Sequence, residues 1–431
     1  MEIVACPDCD LLQQIPSLPP GGKALCPLCG ETVAIEPTGS IDRVLALTIT
    51  AAIVFVIANT APLMGLSAAG RHTNTTIVGG AYQMWIHGQV VTAAIIAFCA
   101  VIAPAVYILF MLTALLAVKR PPAPQWVSEM LRWAEHMKLW SMNEVMLIGI
   151  LVALIKIAEL ASVEPGIGMY AVGGLVVLFA TIIVIFNPRE LWKRVEWTDG
   201  TVPSQAGTYE QIRAEEGQRT AIARTAAQKG LVSCETCALL LRPATEVGPG
   251  HCPRCGAELV LRRHYSIQYT WALVIAAAIC YIPANVLPVM TTTALGSSES
   301  DTIMSGVVYL YTSGSWPLAL IVLIASVMVP LGKLVALAYL LITVQRGLPG
   351  INRERTRLYR IVVLIGRWSM LDVFVVTFTV ALIQLQPLMS AQPAPGVLFF
   401  AGVVVLTMIA AESFDPRLIW DAESRSTESH G

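Results

Sequence analysis

Long apolar segments separated by polar ones dominate the chain and predict its architecture. A helix needs about 20 apolar residues to cross the hydrocarbon core of a bilayer, and eight segments approach or exceed that length. The first four cover about residues 44–64, 90–118, 139–160 and 169–186. After a polar interval, the other four cover about residues 269–290, 316–344, 361–384 and 397–411. We therefore predict an all-α polytopic membrane protein with eight spans.

The second half of the chain repeats the first at a nearly constant offset. Trp140-Ser141-Met142 recurs as Trp368-Ser369-Met370, and Asn187-Pro188-Arg189 recurs as Asp415-Pro416-Arg417. Two C-x-x-C pairs precede each group of four apolar segments. Each repeat is therefore a cysteine module followed by four spans. Because four is an even number, we expect the two units to have the same membrane orientation, as parallel repeats do.

These features divide the chain into six predicted parts. Cysteine module 1 occupies residues 1–40 and transmembrane unit 1 residues 41–195. A linker at 196–230 precedes cysteine module 2 at 231–262, transmembrane unit 2 at 263–421 and a disordered tail at 422–431. Module 1 contains no recognisable removable signal peptide, so we expect the first span to direct membrane insertion.

Lysine and arginine residues distinguish the two sides of the membrane. One set of connecting segments holds almost all of them, whereas the opposite set holds Arg71 alone. Cytoplasmic loops carry the excess of positive charge, so we predict that both termini and both cysteine modules are cytoplasmic. Segments 65–88 and 291–315 are then expected to face the periplasm. A reducing cytoplasm also agrees with cysteines that are not paired as disulfides.

Composition excludes several other classes of protein. Charged residues make up 13% of the chain and apolar residues 55%, whereas soluble domains average about 25% charged residues. The formal net charge of −1 gives no basis for a nucleic-acid partner, which usually requires a basic face. The chain contains no G-x-x-x-x-G-K-[ST], H-E-x-x-H or G-x-S-x-G motif, each of which would indicate a specific catalytic site. We therefore expect no enzymatic activity.

The cysteine modules have the spacing of metal sites. The two C-x-x-C pairs are separated by residues 10–25 in module 1 and by the slightly shorter segment 238–251 in module 2, which is typical of four-cysteine zinc ribbons. Gly30 and Gly256 follow the second pair of each module and permit the positive φ that such a turn can require. Iron, disulfides and redox-active dithiols are open alternatives. We predict two zinc ions, bound by Cys6, Cys9, Cys26 and Cys29 and by Cys234, Cys237, Cys252 and Cys255.

Polar residues within the spans of unit 2 predict a buried network. Charges at membrane depth are costly and usually face a protein interior or a wet cavity. A network of this kind indicates either proton-linked transport or gating, or a structural ion pair between the lysine and the aspartate. In unit 1, Tyr107 replaces the lysine and Glu144 the aspartate, which indicates that the two halves differ in function. The predicted network consists of Ser326, Lys333, Ser369, Asp372 and Thr407.

The two cysteine modules, each preceding four spans, and the repeated Trp-Ser-Met and Asn/Asp-Pro-Arg elements resemble the paraquat-inducible protein A family over nearly the whole chain. The resemblance implies a zinc ribbon in each half and two tandem tetraspanin-like four-helix units. It also implies a bacterial inner membrane and a periplasmic tunnel partner built of mammalian cell entry (MCE) domains. The predicted network in unit 2 matches the polar network expected of the family's C-terminal unit.

From this resemblance we expect a lipid transport protein that loads or accepts membrane lipids, with phospholipid as the expected class, for the tunnel partner. Two other functions agree with the same residues. An iron-containing membrane protein could pass electrons toward quinone, and a non-transporting protein could anchor the tunnel partner. Visible absorbance distinguishes the iron-containing redox protein from a zinc protein, because four-thiolate ferric iron is coloured and zinc is not.

Overall fold

The computed structural model describes residues 2–36, 39–68, 71–88, 90–119, 123–158, 162–186, 188–195, 225–242, 250–294, 297–312, 314, 316–348, 350–382, 384–385 and 389–421 of the 431-residue chain. The predicted tail at 422–431 and most of the predicted linker at 196–230 lie outside these residues. The described part is mostly helical, as the sequence predicts, and short strands lie between the helices.

Module 1 folds as two short antiparallel hairpins. Strand β1 (Glu2–Ala5) pairs with β2 (Leu12–Ile15), and β3 (Lys23–Leu25) pairs with β4 (Thr32–Ile35). One C-x-x-C pair lies in the turn of each hairpin. The two turns therefore bring four cysteines to one end of the module.

Unit 1 follows with helices whose limits are explained by local sequence. Helix α1 ends at Thr60, shortly before Pro62, and α2 begins after Thr76, whose hydroxyl accepts a hydrogen bond from Gly79 N at 3.0 Å, a common N-cap arrangement. A π-helical turn at Phe98–Ile102 joins α3 to α4. The helices are α1 (Ile41–Thr60), α2 (Ile77–Ile86), α3 (Val90–Ala97), α4 (Ala103–Val118), α5 (Trp126–Trp140), α6 (Asn143–Ala158), α7 (Ile167–Ile185) and α8 (Pro188–Arg194).

Unit 1 also contains a small sheet at the end of its helices farthest from module 1. Strand β5 (Met64–Ala68) pairs with β6 (Arg71–Thr75) and with β7 (Ser162–Pro165), antiparallel in both cases.

Module 2 repeats the two-hairpin plan with β8 (Val232–Ser233) against β9 (Leu240–Leu241) and β10 (Gly250–His251) against β11 (Glu258–Leu259). The repeat predicted from sequence thus extends to the strands.

In the described residues, unit 2 repeats the order of elements of unit 1 from α1 to α7, with one additional strand in its sheet. A second π-helical turn, at Ile324–Met328, lies at the position that matches the first in the repeat. Its sheet has the strand order β13-β12-β15-β14, formed by β12 (Met290–Ala294), β13 (Ser297–Asp301), β14 (Gln384–Leu385) and β15 (Met389–Pro393). The helices are α9 (Ser266–Val286), α10 (Ile303–Thr312), α11 (Trp316–Leu323), α12 (Val329–Gln345), α13 (Asn352–Gly366), α14 (Leu371–Leu382) and α15 (Gly396–Ser413).

Six of the eight predicted spans are single helices long and apolar enough to cross a membrane. In the part of the chain that the structure describes, these six helices are Ile41–Thr60, Val90–Val118, Ile167–Ile185, Ser266–Val286, Ala319–Gln345 and Gly396–Ser413. The expectation of a multi-pass membrane protein is confirmed. The third and seventh spans, predicted at 139–160 and 361–384, have a different form.

Both exceptional spans are interrupted at the repeated Trp-Ser-Met element. Helix α5 ends at Trp140, Ser141 has an extended backbone with φ −75° and ψ 95°, and α6 begins at Asn143. In unit 2 a 3₁₀ turn, Arg367–Met370, separates α13 from α14. Serine and asparagine hydrogen-bond to nearby backbone and so compete with a continuous helix. Within the described residues, α6 has 16 residues and α14 has 12, which corresponds to about 24 Å and about 18 Å at about 1.5 Å per residue.

The expectation of a purely helical membrane protein did not include the two small sheets. Their strands fall in segments 65–88 and 291–315 and in the segments between the third and fourth spans of each unit. Each sheet joins the segment after the first span to the segment before the last. Strand β12, for example, pairs residue by residue with β15, from Met290 with Pro393 to Ala294 with Met389.

Close backbone packing at the start of α15 predicts a sensitive glycine. Gly396 N donates a hydrogen bond to Pro288 O at 2.9 Å, and a Cβ at this position would lie 2.5 Å from Pro288 O and 2.7 Å from Leu287 O. We expect Gly396→Ala to lower the free energy of unfolding by about 1–3 kcal/mol, the usual cost of overpacking. The measurement is the Tm of the purified protein in detergent.

The control for this prediction is Gly402→Ala in the same helix. A Cβ at residue 402 meets no described atom within 4 Å, and alanine favours a helix by about 1 kcal/mol over glycine. The control should therefore melt at the wild-type temperature or above it. Equal melting temperatures for the two variants would contradict the packing argument.

The two units share one hydrophobic core. Helices α6 and α14, which occupy matching positions in the repeat, pack against each other. Their buried side chains, such as Met146, Val373 and Phe374, belong to a single cluster that also includes Met142 and Met370 just before the two helices. Methionine adapts to irregular packing, so the methionine side chains at the contact between the two units can tolerate rearrangement.

Candidate metal centres and a buried polar contact

The four cysteines of module 1 form a buried cluster. Their sulfur atoms all lie within 4.8 Å of one another. The Sγ atoms of Cys6 and Cys29 are 3.4 Å apart and those of Cys9 and Cys26 are 3.5 Å apart, well beyond the ~2.05 Å of a disulfide bond. The structure thus brings together all four residues that the sequence predicts, as free thiols.

Module 2 has the same arrangement. The Sγ atoms of Cys234 and Cys255 are 3.5 Å apart, as are those of Cys237 and Cys252. These four thiols are also buried and also lie within 4.8 Å of one another. The two clusters therefore repeat in three dimensions as well as in sequence.

Tight backbone turns present the four thiols of each cluster. In every C-x-x-C pair the amide of the residue after the second cysteine donates to the carbonyl of the first, at 2.8–3.0 Å. That residue has a positive φ in each case: 61° at Asp10, 76° at Gly30, 56° at Ala238 and 68° at Gly256. The expectation of a positive φ at the two glycines is confirmed. Sequence reasoning missed Asp10 and Ala238, and only the tolerance of aspartate for this region was an available signal.

The thiol clusters fit a tetrahedral metal ion. Zn–S bonds of about 2.3 Å in a tetrahedron place the sulfurs about 3.8 Å apart, close to the distances found here. Hydrogen bonding to Cys26 raises the pKa of the Cys9 thiol, and hydrogen bonding to Cys234 raises that of Cys237. Four thiolates cannot share so small a volume without a cation that balances their charge. Both clusters can therefore hold a metal ion, and their geometry suits zinc and iron alike.

Module 1 contacts both transmembrane units. Its Val33 carbonyl accepts a hydrogen bond from Arg189 of unit 1 at 2.5 Å, and its Asp8 carboxylate accepts one from Arg360 of unit 2 at 2.7 Å. Apolar side chains of module 1, such as Val4, pack in one cluster with Leu337 and other residues of unit 2. The module thus also lies against the unit that does not directly follow it in sequence.

Module 2 is held through the Asp-Pro-Arg element of unit 2. Glu235, between Cys234 and Cys237, accepts hydrogen bonds from Arg417 at 2.5 Å and from Arg263 at 3.0 Å. Arg417 also pairs with the buried carboxylate of Asp415 at 2.8 Å. Burial is the largest single influence and acts to raise the pKa of Asp415. The hydrogen bond and the positive charge of Arg417, with the backbone N–H donors of Arg263 and Arg417, together outweigh it and lower the pKa. The repeated Pro-Arg sequence therefore anchors a cysteine module in both units.

Asp10 connects module 1 with module 2 and with the end of the linker that precedes module 2. Its backbone carbonyl accepts a hydrogen bond from Ala226 N at 2.8 Å, and its carboxylate accepts from Ala227 N and Arg262, each at 3.1 Å. Burial raises the pKa of Asp10 despite these partners. Module 2 also packs apolar residues against unit 1, with Leu259 and Trp192 in one cluster. The modules and the ends of both units thus form one connected assembly.

The predicted network of unit 2 is brought together in part. Lys333, whose side chain is 3% exposed, donates a hydrogen bond from Nζ to Thr407 Oγ1 at 2.8 Å, and Thr407 donates to Val404 O at 3.0 Å. Asp372 lies in the first turn of α14, and its side chain is outside the described part of the structure. The pairing of Lys333 with Asp372 therefore stays a prediction.

Two buried hydroxyl groups lie in neighbouring turns. Ser326 belongs to the π-helical turn Ile324–Met328 and Ser369 to the 3₁₀ turn Arg367–Met370, and these turns contact each other. Both side chains are buried, and neither hydroxyl has a hydrogen-bond partner among the described residues. Unsatisfied buried polar groups are rare and need a reason. π-helical turns are frequent at functional sites.

Unit 1 replaces the polar contact by an aromatic pair. The residues that match Lys333 and Thr407 in the repeat are Tyr107 and Phe179, whose rings meet edge to face with centroids 5.6 Å apart. Glu144, which matches Asp372, is exposed at the start of α6. One helix arrangement thus carries a lysine–threonine contact in unit 2 and an apolar contact in unit 1.

Comparison with known proteins identifies the family. The family model for paraquat-inducible protein A matches residues 41–196 and 267–423. Intermembrane transport protein PqiA of Escherichia coli strain K12 is 34% identical over 426 residues, which cover 98% of this chain and 96% of that protein. The chain belongs to the paraquat-inducible protein A family. The family assignment expected from the sequence motifs is confirmed.

Further relatives have different names. Lipophilic envelope-spanning tunnel protein A of Escherichia coli strain K12 is 32% identical, with 97% of this chain and 91% of that protein covered. The probable intermembrane transport protein of Haemophilus influenzae is 28% identical, with 98% and 97% covered. No solved structure matches the chain. The two segments matched by the paraquat-inducible protein A model coincide with units 1 and 2, which agrees with the tandem repeat.

Proposed function

We propose that this chain is the inner-membrane component of a lipid transport system, which loads lipids into a periplasmic MCE-domain tunnel or accepts lipids from it. The similarity over nearly the whole chain to proteins named for intermembrane transport and for an envelope-spanning tunnel supports this proposal. The observation that carries it is the buried Lys333–Thr407 contact in unit 2, because a lysine within a span is costly and typical of transport pathways.

The polar contact supplies the step that couples or gates transport. Thr407 positions Lys333. Among the described residues, the hydroxyls of Ser326 and Ser369 have no hydrogen-bond partner; Ser326 lies in the turn directly before the lysine-bearing helix, and Ser369 lies in a turn that contacts the Ser326 turn. Protonation or deprotonation of Lys333 changes the hydrogen bonds that it can make, and this alters the packing of α12 against α15. Asp372, at the start of α14, completes the network. No covalent chemistry and no enzymatic activity are assigned to the chain.

The cysteine modules are structural zinc sites on the cytoplasmic side. Zinc bound by Cys6, Cys9, Cys26 and Cys29, or by the matching four of module 2, would supply the folding free energy that small modules lack. The ends of both units are then held against the rigid modules by Arg189, Arg360 and Arg417. In this orientation both termini are cytoplasmic, and the two small sheets face the periplasmic partner.

Photo-crosslinking followed by affinity purification in mild detergent tests the partner and the orientation. A photoreactive amino acid at Asn74 or Ser298, both exposed on sheet strands, should capture an MCE-domain protein, and phospholipid should copurify. The matched control is the same amino acid at Arg357, exposed on α13 on the predicted cytoplasmic side. Capture of the tunnel protein from residue 357 alone would overturn the proposed orientation.

A further inference from the structure

The contact between module 1 and unit 2 includes a sulfur atom of the candidate metal site. Arg360 on α13 donates from Nη2 to Cys29 Sγ at 3.3 Å and from Nη1 to Cys29 O at 3.2 Å. Its Nε lies 2.7 Å from Asp8 Oδ2 and 2.9 Å from Glu31 Oε2. One guanidinium group thus contacts a thiol ligand, its backbone and two carboxylates of the same module.

We propose that Arg360 is an outer-sphere residue of the module 1 metal site, so that metal loading of module 1 and docking of α13 on the module stabilise each other. The inference rests on the proposed metal binding. A divalent ion with four thiolates carries a net charge of about −2, and a positive donor at one sulfur stabilises this charge. Outer-shell partners of this kind typically change metal affinity by about 10–100-fold.

The geometry favours arginine over any other cation at this position. The planar guanidinium presents several N–H groups in fixed directions, and here they are divided between Cys29 and the carboxylates of Asp8 and Glu31. Lysine would keep the charge but could not hold all of these acceptors in one geometry. The carboxylates in turn orient Arg360, whose side chain is 29% exposed and would otherwise be free to leave the sulfur.

The coupling between metal binding and docking of α13 is reciprocal. An ion that binds more tightly when α13 is docked must also strengthen that docking, by the same factor. Helix α13 is followed by the 3₁₀ turn Arg367–Met370, which carries Ser369. Metal loading of module 1 would therefore act on the helix that leads directly to the turn carrying Ser369. Module 2 is held instead through Glu235, so its metal should not respond to Arg360.

Chelator competition on the full-length protein in detergent tests the first half of the inference. The Arg360→Gln variant should release one of its two zinc ions to a chromogenic chelator at least about tenfold faster than wild type, and the other ion should be unaffected. The release rate of the Arg360→Lys variant should lie between those of Arg360→Gln and wild type. The matched control is Arg357→Gln, an exposed arginine on the same helix, which should release zinc as wild type does. Equal release by the Arg360 and Arg357 variants would overturn the inference.

Hydrogen exchange tests the reciprocal half and separates it from the metal assignment. Loss of the module 1 ion in Cys9→Ser should accelerate amide exchange in α13, whereas Cys237→Ser, which affects the module 2 ion, should leave α13 protected. Unchanged exchange in the first variant, or equal acceleration in both, would contradict the coupling. A wild-type protein without metal in either module would instead refute the proposed metal binding itself, whatever Arg360 does.

Discussion

Replacing the Lys333–Thr407 contact by the pair found in unit 1, as Lys333→Tyr with Thr407→Phe, should abolish lipid transport while the protein still accumulates in the membrane. Unit 1 shows that this helix arrangement accepts a tyrosine and a phenylalanine at the matching positions, with their rings edge to face. The double variant leaves no lone charge at this contact, and the phenol that it introduces is the one that Tyr107 carries at the matching position of unit 1. The measurements are rescue of an envelope defect in a strain that lacks the chain, and membrane abundance.

Single variants and a control in the other repeat sharpen this test. Lys333→Met should also abolish transport. It removes the ammonium group that donates a hydrogen bond to Thr407, which should lower the free energy of unfolding by about 1–3 kcal/mol if the hydroxyl stays buried. Tyr107→Phe in unit 1 is the control that changes the matching position of the other repeat and should transport normally. An abundant and fully active double variant would show that the contact has only a structural role, and it would favour the alternative that the protein only anchors its partner.

The main features of the fold could be predicted because they depend on local patterns. Apolar length identifies a membrane span without any tertiary information, so six spans agree with the described helices. The thiol clusters could be predicted because a C-x-x-C pair at a hairpin turn leaves little freedom for its sulfurs. The repeat added the expectation of parallel units, which hydropathy alone would not have suggested.

The features that escaped prediction depend on long-range contacts or on competing local signals. Trp140 and Trp368 are typical of headgroup anchoring, and the apolar segments at 139–160 and 361–384 each suggested one continuous span. In the structure the helix is interrupted at Ser141 and at the turn containing Ser369. The docking of module 1 on unit 2 could not be predicted, because the contact of Arg360 with Cys29 joins residues far apart in the sequence.

Removing half of the thiols of module 1, as Cys26→Ser with Cys29→Ser, should lower the zinc content by about one ion per chain and greatly reduce the amount of folded protein. Serine is a poor zinc ligand at neutral pH because its hydroxyl is not ionised, and two thiolates cannot complete a tetrahedral site. The effect should extend beyond the module, since its apolar residues pack with those of unit 2. Zinc content by elemental analysis and thermal unfolding in detergent are the measurements.

The matched control is Cys99→Ser with Cys280→Ser, which removes the same number of thiols from outside the modules. Its zinc content should stay at two ions per chain if the assignment is correct, whatever its stability, because neither thiol belongs to a cluster among the described residues. Full zinc occupancy in the Cys26/Cys29 variant would contradict four-thiolate binding. If the purified protein is instead coloured and contains iron, the sites could carry electrons as well as hold the fold. The contacts of Arg189, Arg360 and Arg417 would then join a redox centre to the membrane units. The identity of the bound metal therefore distinguishes a structural site from an electron-transfer site.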